Sequence, residues 1–518
     1  MISLTQLQRA VEEGLAFLRT QEDIEEAEVY VASNGILLTR LNYTSHIRCN
    51  GVEEPKSVVN YGVGVQAVFR DSGAGRKLGF GSETSDVTLD GVRSALDKAR
   101  KGAVADPEFV SLARPAGEQR KLVDYHDPKL MEMKDDDLVA SGWKVVNGAL
   151  RVFETSETLL DSAGSPERLH ELGMIVSGDV TILQERMAIA SYAMPEVQTD
   201  ESTAIMSFIT SMVEKEGSKG SGYSASTTLA GFTEEAGREA AKAAVAGIGG
   251  VRLPTGDYKV VFGRQAAMEL LHYLIMPGLS TGMFYAAGSP FMGKLGQQVA
   301  SEKVTIIDDG SASGLVGSKG ITDEGLPTGR TELVREGRLV GLLSNWYESQ
   351  RIQRDPQAKV KLGADPGEWA SGFVPRNGFR FARGGGRHFD AQPGIHATNV
   401  LLPGEIESTE KMCRLVGDGV YIGRIWYTYP VNGLRAGDFT GTVVADSYLI
   451  KDGRPAEPVR PNTLRINDNI LKVLMNVTGV SREGKPTLVW AADEIVYAPE
   501  IAVENVHIDS IAEYMEAL

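Results

Sequence analysis

Residues Met268 to Gly310 read MELLHYLIMPGLSTGMFYAAGSPFMGKLGQQVASEKVTIIDDG, and ITDEGLPTGR follows from Ile321 to Arg330. The apolar spacing from about Gln265 to Met276 predicts a helix. Pro277 ends or bends it, because proline lacks the N–H that the next turn needs. Glu269 and His272 stand three apart and so share a helical face. VTIIDD reads as a strand closing on two aspartates, and Thr322 to Gly325 as an acidic turn, where carboxylates stay solvated or hydrogen-bond to nearby backbone N–H groups. Gly278-Leu279-Ser280-Thr281-Gly282 matches Gly-x-Ser-x-Gly, but it follows a helix and a proline. A nucleophile elbow needs a strand before the serine, so Ser280 is expected in a loop without a catalytic role.

Downstream of this helix the pattern is dominated by strands: RTELVRE, RLVGLLSN, HATNVLLPG, GVYIGRIWYTYPV and GTVVADSYLIKDG. Two turns look alike, Arg335-Glu-Gly-Arg338 and Lys451-Asp-Gly-Arg454, and Asp-Gly between strands signals a hairpin. The expectation is a rolled, barrel-like antiparallel sheet with one notable helix. Upstream, Gly249 to Gly256 (GGVRLPTG) reads as a linker. It divides the chain into an N-terminal α+β domain, residues 1–248, and a C-terminal β-rich domain, residues 256–518.

The first half opens with an amphipathic helix. Leu4, Leu7, Val11, Leu15 and Leu18 fall on one face, and Ser3 or Thr5 is placed to cap it. Alternation from Ala27 to Val31 predicts a strand, with Gly35 turning the chain into a partner strand, ILLTRLN. GVGVQAVFR is a further strand, returning through the hairpin loop Asp71 to Lys77. Helices are expected from about Asp86, from Asp135 to Phe153 (Leu138, Trp143, Val146 and Leu150 inward) and from Phe232 to Ile248, the last capped by Thr233. TLLDSAGS, ELGMIVSG, MAIASYAM and TAIMSFITSMVE read as strands. The Gly/Ser-rich stretch Glu214 to Thr228 reads as a hairpin tip or mobile loop. The fold class is therefore α+β, built on hairpins rather than on alternating parallel βα units.

The 53 basic and 69 acidic residues leave a net charge of −16. That balance excludes a general attraction to nucleic acid or to an anionic membrane. Cys49 and Cys413 are the two cysteines, far apart and outside any CxxC pattern, which argues against a disulfide framework or a cysteine metal site. The first thirty residues lack the features of a signal peptide, and no apolar run of about 18 residues occurs, so the cytoplasm is the expected location. His126, His170 and His507 stand in no paired motif, and a serine or cysteine triad assembled in space stays open at this point. Arg383 to Gly404 (RGGGRHFDAQPGIHATNVLLPG) lacks the strand–GxGxxG–helix context of a nucleotide site. It reads either as a flexible rim beside a peptide-binding strand or as a disordered loop.

The order of these elements resembles the TldD/PmbA (TldD/TldE) family of two-subunit zinc peptidases. The likeness covers AEVYVASNG, YGVGVQAVFRDSGAGRKLGFGSE, the Met268–Arg330 stretch and ATNVLLPG, and so nearly the whole chain. In the metal-bearing subunit of that family the helix carries His-Glu-x-x-x-His, with a Cys thiolate supplied from the C-terminal region. Here the first ligand position is His272. The general-base position is Tyr273, a poor base near neutral pH, and the second ligand position is Pro277, whose side chain offers no donor. No Cys follows Cys413. The resemblance therefore implies a metal-free, TldE/PmbA-type subunit with no catalytic, cofactor-binding or metal-binding residue of its own. The zinc is expected in an HExxxH-bearing TldD-like partner, and the pair would degrade or mature unfolded or small peptides. Two alternatives stand beside it: a self-contained peptidase with a rearranged site using Glu269 and His272, and a homodimeric peptide-binding scaffold.

Overall fold

The computed structural model describes residues 1–47, 51–71, 75–117, 121–381, 386–488 and 495–511. Cys49 and the centre of the Asp71–Lys77 loop lie outside the described residues. So do Arg383, Gly384 and Gly385 of the glycine triplet.

The chain begins with helix α1 (Leu4–Leu18), where Ser3 and Gln6 form a reciprocal capping box. The first sheet is antiparallel. Its strands are β1 (Ile24–Thr44), β2 (Lys56–Asp71), β3 (Gly75–Thr84), β4 (Met174–Ser191), β5 (Gln198–Val213) and β6 (Ser218–Ser226), in the order β3-β2-β1-β4-β5-β6. Alternation sends Val29, Val31, Val63 and Val65 to one face, under α1 and helix α2 (Leu89–Lys101). Farther along the same face, Val180, Ile182, Ile205 and Ile209 pack under helices α3 (Asp135–Glu154) and α4 (Glu235–Ala246). The alternate residues, among them Tyr30, Ala32, Met187 and Ile189, meet Ile321 and Phe389 from the second half of the chain.

Several expectations change here. Gly35 is no turn: β1 runs straight through it, pairing Gly35 with Val59 on one side and Gln184 on the other. A Cβ at Gly35 would lie 2.3 Å from the Gln184 side-chain oxygen, so this glycine marks a close approach rather than a reversal. TLLDSAGS is helical, not extended. Ser156 caps a helix over Glu157–Ala163, and Gly164 closes it in a left-handed conformation. The Gly/Ser-rich stretch is in large part the edge strand β6, paired along its length with β5. Its glycines serve packing, since a Cβ at Gly222 would stand 2.0 Å from the Ala236 carbonyl oxygen of α4. Trp143 is 37% exposed, off the buried stripe of α3 that Leu138, Val145, Val146 and Ala149 define.

The second half contains a closed five-stranded barrel. Strands β7 (Gly256–Phe262), β8 (Gly419–Pro430), β9 (Asp438–Lys451), β10 (Leu464–Asn469) and β11 (Ile501–Ser510) pair in the ring β8-β7-β11-β10-β9-β8. Closure leaves no free edge. Four pairings are antiparallel, but β7 and β8 run parallel. A parallel return needs a crossover, and the chain between these strands supplies a long one. That excursion begins with the helix carrying His272 and includes four strands, Ile306–Asp309, Arg330–Arg335, Arg338–Leu339 and Asn399–Leu401, of a separate six-stranded sheet. Both expected hairpins are present. Glu336 and Gly337, and likewise Asp452 and Gly453, all have positive φ, as the type I′ turn demands.

Candidate functional site

The helix at the opening of the crossover is not uniform. Helix α5 (Arg264–Leu270) is regular, Leu271–Ile275 widens into a π turn, and Met276–Leu279 tightens into a 3-10 turn containing Pro277. Its apolar side, including Ala266, Leu270, Leu271 and Leu274, joins the barrel core. Gln265 fastens it to β8: the side-chain oxygen accepts the Ile425 N–H at 3.0 Å. That N–H is available because the β8–β9 ladder shifts register between Arg424 and Ile425.

Glu269 is buried, and its Oε1 accepts from Gln265 Nε2 at 3.2 Å. Burial pushes its carboxyl up to about 7, against smaller opposing influences from Thr428, His272, Gln265 and Arg424. His272 is partly buried, with Tyr273 edge-on at 4.6 Å between ring centroids. Tyr273 itself is 36% exposed. On the neighbouring strand, Arg424 is buried between the rings of Phe208 and Trp426, and burial lowers its pKa.

This donor set does not fit a zinc ion. Such a site takes three or four nitrogen, sulfur or carboxylate ligands. Here His272 stands beside a phenol and, at Pro277, a side chain with no donor. Glu269 is held by Gln265, and burial raises its pKa. Among the described residues no group of three His, Cys, Asp or Glu side chains is placed to hold a metal ion. Cys413 is buried in a small apolar cluster with Val261, Met412 and Ala502.

The other sequence candidates take structural roles. Ser280 caps the short helix Thr281–Tyr285, accepting the Met283 N–H. His507 is exposed between Asp257 and Asp509, and its hydrogen bond to Asp257 raises its pKa. His170 contacts a backbone carbonyl oxygen, and His126 lies 3.5 Å from Glu201. The strand Asn399–Leu401 is no peptide-binding edge. It is interior to its sheet, flanked by Ile306–Asp309 and Ile495–Ala498, so both rows of backbone groups are taken.

The acidic turns are not solvated. Asp308, Asp323 and Glu324 are all buried. Asp308 accepts the Thr398 N–H at 2.6 Å and the Asn377 amide at 2.7 Å, and burial still pushes it up to about 7. Glu324 accepts the Trp346 N–H at 3.0 Å and is pushed by burial up to about 8. Asp323 belongs to an ionic seam that the sequence reading missed. Tyr30 donates to it at 2.9 Å, the Arg380 N–H at 2.6 Å, and Arg387 lies 3.1 Å away. Arg380 pairs with Glu28, Arg387 with Asp200 and Lys319 with Glu185. The one signal for this seam was the placement of Glu28, Glu185 and Asp200 at strand positions whose neighbours alternate in register with the core.

Residues 255–510 match the C-terminal domain of PmbA/TldA metallopeptidases, the segment whose helix and barrel are described above. The chain belongs to the TldD/PmbA family. Its fold is that of the TldE structure from Thermococcus kodakarensis, with a TM-score of 0.75 over 96% of this chain and all of that one, at 18% identity. A metalloprotease of Methanothermobacter thermautotrophicus is 30% identical over 257 residues, 48% of each chain, so the match spans about half the length of that relative. A TldD homolog described as a metalloprotease in Buchnera aphidicola is 23% identical over 85% of this chain and 86% of its own. The helix that leaves the barrel in this fold carries His272, Tyr273 and Pro277 in this chain. No helix among the described residues is long and apolar enough to cross a membrane.

Proposed function

We propose that this chain is the metal-free subunit of a TldD/TldE-type heterodimeric zinc metallopeptidase that degrades or matures unfolded or small peptides in the cytoplasm. The observation that carries the reading is the helix itself. Where an HExxxH subunit needs a base and two ligands, this chain presents His272, a half-open Tyr273 and Pro277, set in π and 3-10 turns. The nearest carboxyl, Glu269, is buried and held by Gln265. Fold alone does not assign activity, so the weight rests on these side chains.

In this reading residues 1–248 and 256–518 act as two domains of a chamber wall, and chemistry belongs to an HExxxH-bearing partner. The surface assigned to that partner is the end of β8 beside the π turn, where Trp426, Tyr427, Tyr429 and Val431 are all exposed. Exposed aromatic runs of this kind favour partner contacts.

The test is metal analysis and peptide cleavage on the purified chain, alone and mixed with an HExxxH-bearing subunit. The expected result is no stoichiometric zinc and no cleavage alone, with cleavage appearing in the mixture. One zinc held tightly per chain, or cleavage abolished by His272→Ala in the isolated chain, would overturn the proposal.

A further inference from the structure

A cleft of about 700 Å³ opens between the edge strand β6 with helix α4, on one side, and the outside of the barrel at β8 and β9, on the other. That volume is within the range of small-ligand sites. The first residue of α5, Arg264, points its chemistry at this cleft, as do Lys242 and the rings of Tyr223, Tyr421 and Tyr448. The Tyr421 and Tyr448 rings stack with centroids 4.5 Å apart and make a flat wall.

The charges in the cleft are unequally satisfied. Glu239 pairs with Lys485. Glu500 accepts from Thr409 at 2.8 Å and from Tyr421 at 3.0 Å. Asp446 accepts both the N–H and the hydroxyl of Ser221. These three carboxylates are thus already engaged by their own neighbours, and the fourth in the lining, Glu410, is exposed and hydrogen-bonds with Ser408. Arg264 differs: its side chain is partly buried, and among the described residues its buried Nε meets no acceptor. Lys485, above the Tyr223 ring, is taken by Glu239, while Lys242 on α4 adds a second positive charge to the lining.

A buried guanidinium donor without an acceptor is costly to maintain. Its planar fork matches a carboxylate better than any other common ligand group. We propose that this cleft binds a carboxylate, presented by the free C-terminus of a short peptide whose last side chain lies against the Tyr421–Tyr448 wall. Arg264 would receive the carboxylate, and Lys242 would add long-range attraction in a chain that is otherwise strongly acidic. The site needs no metal and no partner subunit, so it stands or falls separately from the pairing proposed above.

The test uses the isolated full-length chain and a short peptide ending in phenylalanine, labelled at its N-terminus and followed by fluorescence anisotropy. The free-acid peptide is expected to bind about tenfold or more tightly than the same peptide with an amidated C-terminus, the scale of one charge-assisted hydrogen bond. Arg264→Gln is expected to abolish that preference, and Arg264→Lys to restore part of it. Should Arg264→Gln unfold the chain, the free-acid and amide comparison on the unaltered protein still decides. Equal binding of the two peptides, or no binding of either, would overturn the proposal. Competition by benzoate as tight as the peptide itself would assign the site to small acids and overturn the peptide assignment.

Discussion

Arg387 Nη1 lies 2.7 Å from Asp200 Oδ2, with both side chains sealed from solvent between the polar face of the first sheet and the segment that follows Gly317. Asp200 also accepts the Gly320 N–H at 2.9 Å. The pair therefore fixes both a side chain and a loop. Breaking such a pair leaves an uncompensated buried charge. Arg387→Met is expected to cost about 3–5 kcal/mol of stability, read as a shift in the urea unfolding midpoint. Replacing both partners, Arg387→Met with Asp200→Asn, should cost less than the two single changes together. A single-variant loss below about 1 kcal/mol would show that the seam is not held by this pair.

Stability should fall as pH rises across the neutral range. Glu324, Asp308, Glu269 and Asp446 are pushed by burial up to about 8, 7, 7 and 6 respectively. A carboxyl whose folded pKa is raised holds its proton in the native state and releases it on unfolding. Its stabilising share is complete below the unfolded value, near 4, and is lost as pH passes the folded value. The thermal midpoint is expected to decline from about pH 5 to about pH 9. Glu324→Gln should flatten the upper part of that decline by an amount on the order of a few kcal/mol. A midpoint that is level through this window would contradict the assignment.

Gly222 sits where β6 touches α4. Gly222→Ala would drive a methyl into the Ala236 carbonyl oxygen, and two paired backbones leave little room to relax. A loss of about 1–3 kcal/mol is expected, measured by thermal unfolding. Gly217, left-handed but with open space around its Cβ position, is the control. There the cost comes from backbone strain alone, about 1 kcal/mol, and should be smaller than at Gly222.

His272 should be dispensable for chemistry. In a reconstituted complex, His272→Ala in this chain is expected to leave the cleavage rate within about twofold, since a group outside the reacting centre contributes little to transition-state binding. A drop of a hundredfold or more would return His272 to the catalytic machinery.

Much of the architecture could be read from local pattern. The Ser3 cap of α1, the hairpin of β2 with β3 and the two hairpins at Glu336-Gly337 and Asp452-Gly453 depend on neighbours in sequence, and sequence reports neighbours well. Gly35 and the Glu214–Thr228 stretch misled for one shared reason. Glycine serves turns and close approaches alike, and which one applies depends on a strand or helix far away in the chain.

The sequence by itself determined which side chains the α5 helix and its continuation can offer, because His272, Tyr273, Pro277 and the lack of any cysteine after Cys413 are facts of composition and order. It also determined the α+β class, through the periods of its apolar residues. Only the tertiary structure decided which charges matter. Asp308, Asp323 and Glu324 look like solvated turn residues along the chain, yet the crossover between β7 and β8 buries all three, Asp308 against Asn377 and Thr398 and Asp323 against Tyr30 of the first sheet. Burial then raises the energy of every ionised group that lacks a partner. That same packing gave Arg380 and Arg387 their partners, Glu28 and Asp200.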